Sequence, residues 1–183
     1  MGVIYTQGSD PAMLEPADLS ESLAAAVREV MPWLASLSDD DACRSEREGK
    51  WSAKQVIGHL TDSAVNNLGR IVRMQLEPDQ HLPGYDQTSW VRVQRYDERD
   101  WPKVLGLWFA LNEHVVWTIA HVEKNALMHR GVVAGGTVTL GFLIEDYIAH
   151  MRHHLRALRS WVGGRTDRIG AGGLLFEPYR CLI

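Results

Sequence analysis

The chain has 183 residues, enough for one domain of ordinary size with a substantial apolar core, and a second domain is not expected. Its net charge of −4 comes from interspersed acids and bases, so neither a nucleic-acid footprint nor a face for an anionic membrane stands out. Cys43 and Cys181 stand far apart and outside any Cys-x-x-Cys pattern, which argues against a disulfide framework and a thiolate zinc site, and no apolar run is long enough to span a bilayer.

The isolated cysteines make a reducing cytoplasm the expected home, and since the opening MGVIYTQGSD has no charged region followed by an apolar core, a soluble protein is expected. Met1-Gly2 with Thr6 matches the N-myristoylation pattern, but the match is short and nothing polybasic supports it. The first helix is expected over about residues 18–37, with Asp18 and Glu21 as a capping box. Its apolar stripe is Leu19, Leu23, Ala26, Val27, Val30 and Leu34, and Pro32 is expected to kink its last turns. The acidic SDDDACRSEREGK reads as a solvated connection.

The second helix opens at WSAKQ, where Ser52 and Gln55 form a capping box, and runs to about Leu76 before Pro78. Val56, Leu60, Ala64, Asn67, Ile71 and Met74 form its stripe; His59 lies on the flank, beside Ser63 and Arg70. The stretch from Glu77 to Asp100 has turn residues and no sustained period, the mark of a functional crossover rather than a tight turn between antiparallel neighbours.

The third helix starts at Trp101 behind Asp100 and carries Val104, Leu105, Trp108, Leu111, Val115, Ile119 and Val122 at helical spacing. GVVAGGTVTLG reads as a short hairpin centred on Gly135-Gly136, and Thr139 as the start of the last helix. That helix carries Leu143, Tyr147, His150, Met151, His154, Leu158 and Trp161 before Gly163-Gly164. The expected fold is therefore all-α: a four-helix bundle over residues 1–162, with a long crossover between its second and third helices and a Gly-rich tail over 163–183.

Within YIAHMRHHLRAL, His154 lies within roughly 20–40° of Leu143, Tyr147, His150 and Leu158, whereas His153 is turned roughly 100° away. Two imidazoles four apart on one face can converge on one metal ion. A catalytic ion needs a third ligand from another helix, with His59, His81, His114, His121 and His129 as candidates. His59 stands out, one turn into a well-capped helix at a boundary that solvent could reach. Unmetallated core or surface histidines are the alternative.

The stretches GKWSAKQVIGHLTDSAVNNLGRI, LPGYDQTSW and YIAHMRHHLRAL, in that order and separation, resemble the signatures of the DinB/YfiT-like superfamily of helical-bundle metalloenzymes. In that family a Trp-Ser or Trp-Thr helix start leads to His-Leu-x-Asp, a Pro-x-Tyr-Asp crossover follows, and the final helix carries His-x-x-x-His. The resemblance spans about residues 20 to 162. It implies that His59, His150 and His154 are metal ligands and that Tyr85 and Asp86 border the pocket; Asp62 matches the acidic position after the first histidine, and because a helix turns it away from the core stripe it reads as structural or as standing behind a ligand. The resemblance also implies a divalent ion such as zinc or nickel, a homodimer, and in some members transfer of a low-molecular-weight thiol such as bacillithiol.

The chemistry expected is activation of a bound water or thiol toward a small-molecule substrate, giving a hydrolase or a thiol S-transferase. A non-catalytic metal-binding stress or interaction protein is the alternative. Asp86, Tyr85, Asp146 and His153 are candidates for a general base, and none is singled out by a motif. Asp146 reads first as a solvated helix charge and second as an acceptor for a ligand ring. Arg152, Arg156 and Arg159 read as a solvated basic face, the tryptophans as packing, and Phe109 and Trp117 as a dimer contact.

Overall fold

The computed structural model describes residue 6 and residues 8–163; the Gly-rich tail beyond residue 163, Cys181 and the Met1-Gly2 pattern lie outside the described residues. In chain order the elements are α1 (Pro16–Ser36), α2 (Asp39–Cys43), α3 (Ala53–Leu76), β1 (Gln80–Leu82), α4 (Gln87–Gln94), α5 (Trp101–Ala120), β2 (Arg130–Val133), β3 (Gly136–Thr139) and α6 (Leu140–Gly163). The long helices α1, α3, α5 and α6 form the expected bundle. Both α1 and α3 pack on α5 and α6, so the consecutive helices α1 and α3 face each other across a diagonal, as do α5 and α6.

Helix starts follow local chemistry. The Ser52 hydroxyl accepts from the Gln55 N–H at 3.3 Å while Gln55 Oε1 accepts from the Ser52 N–H at 3.0 Å, the capping box expected for α3. Thr139 Oγ1 accepts from the Phe142 N–H at 3.2 Å and starts α6 as expected. The first helix differs: it begins at Pro16, whose fixed φ suits the first turn, and Asp18 lies inside that turn instead of capping it. It also runs through Pro32 to Ser36. At Asp100 the cap position is correct, but its carboxylate pairs with Lys103 at 2.7 Å and caps nothing.

Both connections hold more structure than their sequences suggest. In the acidic segment Ser38 caps α2, Ala42 is buried, and Asp39 accepts from the buried Lys54 ammonium at 2.9 Å and from the Trp101 N–H at 2.7 Å. The long crossover joins two helices that pack together, α3 and α5, and is more than a tight turn between them. Its length serves to cover α3. β1 pairs in parallel with β2, extending the β2–β3 hairpin into a three-stranded sheet, and α4 lies on α3 with Asp86 as its cap, accepting from the Ser89 N–H at 2.6 Å.

The lid over α3 is keyed by Gly58, since a Cβ there would stand 2.2 Å from the Tyr96 ring. The Tyr96 hydroxyl then donates to Asp62 Oδ1 at 2.7 Å, one turn further along. The hairpin turns at Ala134-Gly135, one residue before the expected centre, with Val133 opposite Gly136 and φ of 48° and 89° at the two turn residues. That is the two-positive-φ geometry matching strand twist. Phe109 packs against the core edge, and Trp117 is 65% exposed with its ring on His121. Among the described residues no helix is long and apolar enough to cross a membrane.

Candidate metal centre

The packing of α3 on α6 brings His59, His150 and His154 together. His59 Nε2 lies 3.0 Å from His150 Nε2, and the ring centroids stand 5.1 Å (59 to 150), 4.9 Å (59 to 154) and 4.6 Å (150 to 154) apart. One nitrogen from each ring falls within 4.8 Å of the other two. His153 is exposed, as its helical angle requires, with its ring 5.4 Å from that of His154. The other candidates stay apart. His81 and His114 are exposed, His121 Nδ1 donates to the Trp117 carbonyl at 2.8 Å, and His129 Nδ1 donates to the Met74 carbonyl at 2.8 Å.

His59 is fully buried rather than at a solvent boundary; of the three, only His154 has measurable exposure, 8%. Burial decides the charge. It pushes His59 down to about 4, and it holds His150 and His154 well below the ordinary imidazole range, with the neighbouring rings adding to the effect. All three are therefore neutral at pH 7, each keeping a lone pair. The His59–His150 contact uses one nitrogen of each ring, and His59 Nδ1 has no hydrogen-bond partner in the protein. An unsatisfied buried polar atom costs about 1–3 kcal/mol, so this triad is expensive as mere packing. Three neutral, converging imidazoles fit a borderline-soft divalent ion.

The sequence profile of the DinB superfamily matches residues 22–158. The chain belongs to the DinB superfamily. A protein of Geobacillus thermodenitrificans is 27% identical, over 82% of this chain and 87% of its own length, and one of Oceanobacillus iheyensis is 22% identical, over 68% and 72%. Both bear the name "Putative metal-dependent hydrolase". YfiT from Bacillus subtilis, a solved structure described as "a probable metal-dependent hydrolase with an unusual four-helix bundle topology", superposes with a TM-score of 0.75 at 17% identity, covering 88% of this chain and 91% of that one.

Around the triad, this DinB-superfamily chain buries polar groups whose burial the helical spacing did not show. Trp51, half-buried, sets its ring 5.2 Å from that of His59. A polar face of α3 made of His59, Ser63, Asn67 and Arg70 is buried throughout, and on α6 Asp146, His150 and His154 share one face. Asp146 is 2% exposed, which overturns its reading as a solvated charge. Asp62 is buried as well: its Oδ1 accepts from Tyr96 and, at 2.5 Å, from Gln94 Nε2, while burial, opposed by those bonds, pushes it up to about 6. It anchors the crossover. Of the crossover pair, Asp86 caps α4 and Tyr85 sets its ring 4.9 Å from that of Trp90. Arg152 is no solvated charge either, because it donates to the Ser22 carbonyl and hydroxyl at 3.0 Å and ties α6 to α1.

Proposed function

We propose that the chain is a divalent-metal-dependent enzyme acting on a small molecule, with His59, His150 and His154 as ligands to a zinc or nickel ion. One observation carries the reading: three buried, uncharged imidazoles from two helices converge, two of them with Nε2 atoms 3.0 Å apart. Such an ion supplies the Lewis acidity that makes a water or a low-molecular-weight thiol nucleophilic at neutral pH. The protein's part is to keep the donors ready. Burial holds the three rings unprotonated, so binding need not wait for proton release from imidazolium. The ring of Trp51 shields one side of His59.

The names of the relatives favour hydrolysis as the reaction. Thiol S-transfer, the second reading, uses the same first step with a thiol in place of water. Metal content of the purified protein and of His154→Ala, measured beside thermal unfolding and circular dichroism, tests the site. We expect about one ion per wild-type chain and a stabilisation of about 2.7 kcal/mol at free ion one hundred times Kd. Both are expected to vanish in the folded variant. The ligand assignment is falsified if a triple substitution of His59, His150 and His154 still holds stoichiometric metal. Turnover of ester and amide substrates, against that of electrophiles with added thiols, separates hydrolase from transferase. Metal binding without either activity would leave a non-catalytic metal-binding protein.

A further inference from the structure

We infer that Asp146 is a positioning residue for this centre: its carboxylate accepts a hydrogen bond from Nδ1–H of His150 and holds that ring with Nε2 toward His59. The inference rests on the metal-centre reading and adds a residue to it. Asp146 stands one turn before His150, on the face of α6 that also carries His154. At 2% exposure its carboxylate is out of water, where an ionised oxygen needs donors. Asp146 and His150 both interact within the protein.

The ring itself narrows the choice. Nε2 of His150 is directed at His59, which leaves Nδ1, the nitrogen nearer the backbone, beside its own helix. His150 is fully buried, yet its Nδ1 is not among the buried atoms that lack a partner, whereas Nδ1 of His59 is. Helical side chains lean toward the N-terminus, so the His150 ring leans over the turn that bears Asp146. Residues four apart are side-chain neighbours, and the backbone carbonyls of that turn are engaged in the helix. A carboxylate behind a ligand imidazole fixes its tautomer and raises its basicity. With no such support at His59 Nδ1, the orienting bond falls to α6.

The competing partner for Asp146 is Arg70, a buried guanidinium that donates to the Pro83 carbonyl at 2.9 Å and stands 3.5 Å from Asn67 Oδ1. An Asp146–Arg70 ion pair alone would make Asp146 a fold element with no bearing on the imidazole. The two assignments differ in what they do to His150.

Long-range 1H–15N spectra of the metal-free protein report each histidine's tautomer, and chelator competition reports zinc affinity. We expect wild-type His150 in the Nδ1–H form, loss of that preference in Asp146→Ala, and a 10–100-fold weaker zinc complex. Asp146→Asn, whose amide oxygen still accepts from Nδ1–H, is expected to keep the tautomer and recover part of the affinity; it also serves if the alanine variant does not fold. An Nε2–H tautomer in wild-type His150 overturns the inference. So does a folded Asp146→Ala variant with tautomer and zinc affinity unchanged, an outcome that leaves the metal-centre reading standing. A wild-type protein that binds no zinc or nickel sinks both.

Discussion

Gly58 shows how much can depend on a missing methyl group. The Tyr96 ring occupies the space where a Cβ would be, and its hydroxyl reaches Asp62 one turn on. Gly58→Ala should therefore expel the ring and leave the buried Asp62 with one donor fewer. We expect a loss of about 2–3 kcal/mol from overpacking, read as a lower urea midpoint. An unchanged midpoint would mean that the crossover is not keyed at this position. The site histidines were legible in the sequence because spacing along a helix translates directly into facing, which turned His150 and His154 inward and His153 outward. The burial of Asp62 and Asp146 was not. A carboxylate in a helical repeat looks the same whether water or another element covers it, and their cover comes from distant parts of the chain.

At the scale of elements, the pieces that closed locally were the legible ones. The Ser52/Gln55 box, Thr139 at the head of α6 and the hairpin each depend on residues a few positions apart. Ala134 is strained in that hairpin: at φ 48° it occupies the left-handed region without the side chain that suits it. Replacing it with Asn would create the Asn-Gly pair that such turns favour. Ala134→Asn should raise unfolding stability by about 0.5–1 kcal/mol in urea titrations; a destabilised variant would contradict the turn geometry. The crossover resisted reading for the opposite reason. β1 is held by pairing with β2, 51 residues along the chain by the Gln80 to Gly131 register, and α4 by packing on α3, so neither has a local period strong enough to show.

For the whole molecule, burial of the triad has a consequence for stability in acid. Unfolded histidines take up protons below about pH 6.5, whereas folded His59 does so only near 4, with His150 and His154 shifted the same way. Between those limits the unfolded chain binds more protons, so lowering the pH removes stability from the metal-free protein, on the order of 3 kcal/mol from His59 alone. Asp62 works against this. Its folded value of about 6 lies above the ordinary carboxyl value, so its contribution is present at low pH and lost as pH rises through about 6. Urea titrations from pH 6.5 to 4 should show stability falling with acid, and falling more steeply in Asp62→Asn; a flat profile would mean that the rings are hydrated.

The amino-acid sequence alone determined the four rods, the starts of α3 and α6, the inward face of α6 and the three imidazoles that come together, since all of these follow from short-range spacing or from resemblance. Only tertiary structure decided that α1 stands diagonal to α3 and α5 to α6, that the crossover lids α3, and that Asp62 and Asp146 lose their water. Those outcomes depend on which surfaces meet, and a one-dimensional period cannot encode a surface's partner.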